Sequence, residues 1–426
     1  MTIILKFNDI STRGELADFL NVPRGKLTHV LYVEKVDSYY ESFEIPKKNG
    51  EPRHINAPTG DLKSIQKKLA LALWEYQESI RSGEVLSPFG KNEKTSKLSH
   101  AFEKKKSIIT NAVIHRNKRF VYNVDLENFF DSFHFGRVRG YFAKNRYFQF
   151  PNEVATVIAQ LVCHNGCLPQ GAPSSPIMTN LICQIFDYRI LKIAKKYKLD
   201  YTRYADDLTF STNNKVFLDE QEAFHEELFR EVKSAGFSIN NKKSRLQYKD
   251  SKQKVTGLVV NRKLSVDRKY CRDTRAMAHA LYANGSFMID GQKGTLKQLE
   301  GRFAFIYQLD KYNNKLECKP EPSDFQRLCR SLNSREKQYQ KFLFYKYFHA
   351  NDKPLVITEG KTDTTYLKAA LKNLYQEYPY LISKKDDGEF SFNVSFLRRS
   401  DRFRYFFYLS PEGADSMTKL YDNLFY

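Results

Sequence analysis

The chain has 426 residues, enough for two to three domains, and carries 69 Lys+Arg against 49 Asp+Glu for a formal net charge of +20. At 41% hydrophobic and 14% aromatic it is too apolar for a disordered chain. No window approaches the ~18 uninterrupted apolar residues of a membrane-spanning helix, and the short apolar run at the start lacks a signal-peptide cleavage site. Cys163, Cys167, Cys183, Cys271, Cys318 and Cys329 form no Cys-x-x-Cys pair, which excludes a disulfide scaffold and points to a reduced, cytoplasmic protein.

In chain order, the pattern first predicts a short helix over residues 12–21. Residues 43–46 and 53–58 read as two strands about an Asn-Gly turn with lysines at its tip. Asp61 is placed to N-cap a helix whose apolar stripe is Leu62, Ile65, Leu69, Leu73, Tyr76 and Ile80. Residues 120–124 read as a buried strand, and 177–197 as a helix after a proline-rich turn. Residues 201–210 form two strands about Ala205-Asp206-Asp207, followed by a helix over 218–235 and a strand pair over 254–264. Near the end, residues 354–358 read as a strand. The next helix carries Tyr366, Leu367, Ala370, Leu371 and Leu374 at helical spacing. Helices alternating with strands imply an α/β or α+β sheet.

Charge is uneven along the chain. Residues 351–426 hold 11 basic and 11 acidic residues, so the whole excess lies in residues 1–350. Lys91–Arg119 carries nine basic and two acidic residues, and Ile239–Arg275 twelve and three. Two such patches suit a polyanion, whose phosphates reward Lys and Arg through counterion release. The shift in charge, with Asn351-Asp352-Lys353-Pro354, marks a boundary near residue 350.

Three acids stand where acids are unwelcome. Asp125 directly follows the strand 120–124, and Asp206 and Asp207 interrupt a hydrophobic strand pair. Neighbouring strand side chains point to opposite faces, so only one of the last two can face Asp125 unless the turn twists them. Crowded carboxylates repel one another unless a cation neutralises them. Mg2+ does so with one or two carboxylates plus substrate phosphates, and an ion pair clamps both oxygens of a phosphoryl transfer. Leu168-Pro169-Gln170-Gly171-Ala172-Pro173-Ser174-Ser175-Pro176 is a rigid turn feeding a helix, suited to hold a planar ligand with Gln170 free to hydrogen-bond.

These segments, in this order, resemble the reverse transcriptases. Asn123-Val124-Asp125-Leu126-Glu127-Asn128-Phe129-Phe130-Asp131 matches the family's first catalytic block, residues 168–176 its template and nucleotide block, and Tyr204-Ala205-Asp206-Asp207 its catalytic hairpin. Gly236-Phe237-Ser238-Ile239-Asn240-Asn241-Lys242-Lys243 matches the block that follows. Asn111-Ala112-Val113-Ile114-His115 and Val255-Thr256-Gly257 resemble two further blocks of the retron members, although the first could equally cap and pack a helix. The resemblance implies an α+β right-hand polymerase: fingers and palm over residues 1–261, and a thumb over 262–349. It also implies an RNA-directed DNA polymerase that copies its cognate structured noncoding RNA into single-stranded DNA, consumes dNTPs, serves antiphage defence, and acts alone or as a homo-oligomer away from membranes.

On the same basis Asp125, Asp206 and Asp207 are the catalytic carboxylates, holding two Mg2+ ions (Mn2+ is the alternative) with the Leu126 carbonyl. Phe130 excludes a 2′-hydroxyl or packs beside Phe129. Gln170 touches nucleotide or template, Lys48 and Arg53 clamp the triphosphate with Arg53 the better placed, and Lys243, or its neighbour Lys242, protonates the leaving pyrophosphate. Asn111, His115, Val255, Thr256 and Gly257 are expected at the RNA, as are Arg272 and Arg275 on a thumb helix. Residues 353–426 resemble the opening strand, Glu-Gly turn and helix of a Toprim domain, a partial α/β unit with Glu359 and Asp363 as its acids and a further strand and turn over 408–413. Two other readings compete: a group II intron-type reverse transcriptase, and an RNA-binding scaffold for a nuclease effector.

Overall fold

The computed structural model describes residues 10–47, 50–82, 98–145, 147–317, 332–398 and 400–407, with Phe7, Leu409, Thr418 and Tyr421. The chain divides into two compact units, Met1–Leu264 and Ser265–Tyr426. The first break lies three residues beyond the fingers-and-palm limit read from the sequence. The expected break near residue 350 instead falls inside the second unit.

In the first unit, β1 (Tyr40–Pro46) and β2 (Pro52–Pro58) form an antiparallel hairpin with Ile45 opposite Arg53. Helix α1 (Gly60–Ser82) follows. Its stripe of Leu62, Ile65, Leu69, Leu73, Tyr76 and Ile80 is buried as the spacing requires. The helix begins at Gly60, so Asp61 lies in its first turn and pairs with Lys26 at 2.8 Å instead of capping it. Helix α2 (Ile108–Ile114) is capped by Ser107, whose hydroxyl accepts from the Ile109 N–H.

The central strand, β3 (Phe120–Glu127), pairs antiparallel with β5 (Asp207–Thr212), which pairs with β4 (Asp200–Tyr204). On its other edge β3 takes β6 (Ser238–Ile239) and β7 (Arg245–Tyr248). Helices α3 (Ser175–Lys196) and α4 (Phe217–Ser234) cover the sheet through Ile177, Ile190, Phe224 and Leu228, within one continuous core. A small hairpin, β8 (Lys254–Val255) with β9 (Leu258–Val259), turns on Thr256 and Gly257, both at positive φ as a two-residue primed turn demands.

The second unit packs α5 (Arg268–Asn284), α6 (Leu296–Glu317) and α7 (Ser334–Phe344) around Leu281, Phe303 and Phe342. Beyond residue 350, β10 (Leu355–Val356) pairs parallel with β11 (Ser395–Phe396), and α8 (Lys361–Asn373) lies between them in sequence. Leu397 and, from α9 (Asp401–Phe407), Phe403, Phe406 and Phe407 enter the same core as Phe303 and Tyr339. A shared core is why the charge boundary is not a boundary between compact units. Residues 408 and 410–413, expected as a strand and turn, lie outside the described residues. Among the described residues no helix is long and apolar enough to cross a membrane, and Cys163, Cys167, Cys183 and Cys271 are free thiols.

Candidate active site

Antiparallel pairing of β3 with β5 sets Asp125 opposite Asp207. Asp206 sits one residue earlier, in the turn joining β4 to β5, where its carbonyl accepts the Leu126 N–H at 3.0 Å. The turn therefore resolves the alternation problem: Asp206 is not a strand residue, so both neighbouring carboxylates can approach Asp125. Ala205 takes φ of 56° to make that turn, a conformation costing a residue with a Cβ about 1–3 kcal/mol and held only where surroundings fix it. Arg203 does the fixing, with Nη1 donating to the Ala205 carbonyl at 3.2 Å.

Arg203 is itself fully buried. Its Nε and Nη2 each donate to Asp187 of α3 at 2.8 Å, a bidentate fork on one carboxylate, and the Tyr201 hydroxyl donates to the same group at 2.9 Å. This brace beneath the hairpin was missed in the sequence. Its only signal was an Asp in the apolar run of α3 and an Arg beside Tyr204.

Burial, then the charge on Asp125, pushes the Asp206 carboxyl up, against the opposing pull of Lys243 and Arg53. Asp207 is pushed up to about 7 by burial and then by the charges of Asp206 and Asp125. Two carboxyls raised by burial and by neighbouring acid charge are groups whose ionised form a divalent cation would favour. Lys243 already answers part of that charge, its Nζ donating to Asp125 Oδ1 at 3.0 Å, and the contact raises its own pKa. Among the described residues no group of three His, Cys, Asp or Glu side chains is placed to hold a metal ion by itself, Asp125, Asp206 and Asp207 included. That agrees with Mg2+, which takes few protein carboxylates and completes its shell with water and substrate phosphates.

Around the acids, the β1–β2 hairpin docks on the proline-rich turn: the Asn56 N–H donates to the Gln170 carbonyl at 2.8 Å. Gly171 makes the docking possible. At φ of 120°, a Cβ there would lie 2.8 Å from Ile55 Cγ2 and 2.9 Å from the Asn56 carbonyl. The Ser175 hydroxyl donates to the Pro169 carbonyl at 2.8 Å and closes the turn. Gln170 is half-buried, and Arg53 is exposed yet close enough to act on Asp206. Phe130 is half-buried and meets Phe129 edge-on at 5.6 Å, while Phe129 goes into the core against Phe133 and Phe237. Lys48 lies outside the described residues.

The residues expected at RNA divide. Asn111, His115 and Val255 are buried and have no surface to offer a polymer. The His115 ring bonds Ser211 Oγ through Nδ1 and Thr202 Oγ1 through Nε2, both at 2.7 Å, which ties α2 to the back of β4 and β5. Direct RNA contact by these three is therefore corrected to a packing role, which the sequence had left open for Asn111 and His115. Thr256 and the exposed Gly257 form the hairpin tip, with the Thr256 hydroxyl donating to the Ile108 carbonyl at 3.3 Å. The hairpin of the second block thus meets the start of the helix that carries the first. Arg272 and Arg275 are exposed on α5. In the C-terminal segment Glu359 is exposed, and Asp363 spends Oδ2 on the Gly360 N–H at 2.8 Å, capping α8.

An antiparallel sheet with three acids at one end, and a hairpin docked on a proline-rich turn beside it, is the arrangement of a polymerase palm. The reverse transcriptase (RNA-dependent DNA polymerase) family matches residues 45–260, half of the chain. The chain is 32% identical to the retron Ec86 reverse transcriptase of Escherichia coli, over 73% of this chain and 86% of that one. It is 30% identical to the retron Mx162 reverse transcriptase of Myxococcus xanthus over 71% of this chain, and 33% identical to the retron Mx65 enzyme over 63%. It spans 64% and 62% of those two, under two thirds of their length. The chain belongs to the reverse transcriptases, in the retron group, and is an RNA-directed DNA polymerase.

Proposed function

We propose that this polymerase copies its own structured noncoding RNA into a single-stranded DNA, using Asp125, Asp206 and Asp207 to hold two Mg2+ ions. The observation that supports this most is the register of Asp125 against Asp207 with Asp206 hydrogen-bonded to Leu126. When bound, the ions would neutralise these carboxylates together with the triphosphate and activate the primer hydroxyl. The Leu126 carbonyl joins that ligand set.

The rest falls to the chain's own groups. Arg53 offers a charged fork to the triphosphate beside Asp206. Phe130 turns an apolar ring to the sugar, where a 2′-hydroxyl would lose its hydrogen bonds. Gln170 is held by its backbone to β2 and presents its amide to nucleotide or template. Lys243, exposed enough to leave Asp125, carries the proton that the departing pyrophosphate requires.

The thumb helix α5 supplies Arg272 and Arg275 to the duplex backbone, which is read by charge and shape. The C-terminal segment is a partial Toprim-like effector module for antiphage defence. What supports this is the parallel pairing of β10 with β11 about α8, with Glu359 in the turn between β10 and α8. Sequencing the nucleic acids that copurify with the chain tests the reading. A short DNA joined to one specific RNA is expected, and its absence with active enzyme would point to a polymerase outside a retron.

A further inference from the structure

Strand β7 runs antiparallel to β3, with Arg245 opposite Asn123 and Gln247 opposite Val121. Paired residues share a face of a sheet and alternate residues keep it, so Arg245 and Gln247 stand on the face that carries Asp125. Asp207 joins that face from the other side of β3, opposite Asp125. The same face anchors the β8–β9 hairpin. The Asn123 amide donates to the Lys254 carbonyl at 2.8 Å, and Gln247 Oε1 accepts the Lys254 N–H at 2.8 Å. Arg245 thus stands between Lys243, which bonds Asp125, and Gln247, which holds the hairpin. It is exposed, and among the described residues its guanidinium enters no ion pair. The other cations of the palm are committed, Lys243 to Asp125 and Arg203 to Asp187. The charge of Arg245 acts on Asp207, as that of Arg53 acts on Asp206.

Asn123 is two strand residues, about 7 Å, from Asp125. Extension needs the terminal 3′-oxygen of the primer at the three acids. The primer's nearest anion is then the phosphodiester joining its last two nucleotides, one nucleotide of backbone away. A guanidinium at that remove, with no protein anion of its own, offers such a phosphate a fork of N–H donors. The triphosphate of the incoming nucleotide has Arg53 and Lys243 instead. We infer that Arg245 binds the phosphodiester between the last two nucleotides of the primer and so sets the primer's 3′-oxygen against the incoming nucleotide. This rests on Asp125, Asp206 and Asp207 being the site of extension. The competing role is that of a counter-charge to Asp207 that touches no substrate.

A primer whose last linkage is a neutral methylphosphonate tests this with the full chain on an RNA template, by the rate at which one nucleotide is added. The wild type is expected to lose about tenfold or more in rate on the neutral linkage, as the loss of a hydrogen bond to a charged group requires. Arg245→Ala, a change at an exposed side chain, should lose as much on the ordinary primer and then less than about twofold more on the neutral one. Arg245→Lys, which keeps the charge without the fork, falls between them. A neutral linkage placed well back from the primer end affects the wild type and Arg245→Ala alike. Where Arg245→Ala is too slow to time, a dideoxy-terminated primer, which cannot be extended, gives the same comparison as affinities. An Arg245→Ala enzyme that is slower, yet as sensitive to the terminal linkage as the wild type, makes Arg245 a counter-charge only and overturns the proposal. A wild type indifferent to that linkage overturns it as well. Failure of the three acids as the extension site shows separately, as Asp125→Asn extending the ordinary primer at the wild-type rate.

Discussion

Two helices of this protein carry apolar stripes of the same period, and only one of them is covered. In α1 the stripe from Leu62 to Ile80 is buried against the core of the first unit. In α8 Tyr366 is 72% exposed and Leu367 42%, and among that helix's described residues none is buried. Periodicity specifies a helix and the side it offers, but the energy comes from the partner that covers it. The palm extends the first case to polar groups: Arg203 and Tyr201 are buried and bonded to Asp187, and buried His115 is bonded to Thr202 and Ser211. The C-terminal segment extends the second, with two-residue parallel strands and a capped but uncovered helix.

Substitutions widen or close that contrast. Arg203→Met leaves Asp187 as an uncompensated buried charge and costs about 3–5 kcal/mol, read as a lower urea midpoint with DNA synthesis lost as the Ala205 turn relaxes. Leu69→Ala in the covered stripe costs about 2–5 kcal/mol in the same melt. Gly171→Ala forces a Cβ into Ile55 and Asn56 and costs about 1–3 kcal/mol from backbone conformation alone. Its signature is protease cleavage in the β1–β2 hairpin at concentrations that spare the wild type. Leu367→Ala in the uncovered stripe changes stability by no more than about 0.5 kcal/mol. A loss as large as that of Leu69→Ala would show that α8 is covered after all.

The buried polar network also predicts a pH dependence. Burial lowers the His115 pKa from 6.5 to about 3, so between those values the unfolded chain binds a proton that the native one does not. Stability is full above about 6.5 and falls as the pH drops toward about 3, by up to about 1.4 kcal/mol per unit from this group. His115→Gln should flatten that slope in urea melts at pH 7 and pH 5. An unchanged slope would mean that the ring is not held neutral.

Much of the site was legible because it lies in contiguous blocks. Asp125, Asp206 and Asp207 stand out as acids in apolar strands, and the hairpin spacing puts them at one sheet end. What escaped depends on contacts between distant segments. The fork of Arg203 on Asp187 spans a strand and a helix, and Lys243 reaches Asp125 from 118 positions away. His115 shows the opposite failure: a polar residue in a recognised block was read as a ligand-binding group, yet its partners are Thr202 and Ser211 on the strands above it. The joint core of Phe303 and Phe406 was likewise hidden behind a change in charge that marks composition rather than folding.

The account rests on the three carboxylates working as one metal-binding group, and extension of a primer on an RNA template with Mg2+ tests that most directly. Asp125→Asn, which removes a charge but hardly any volume, should lower the extension rate on the order of a hundredfold or more while template binding stays within about twofold. An Asp125→Asn enzyme that extends at the wild-type rate would contradict it.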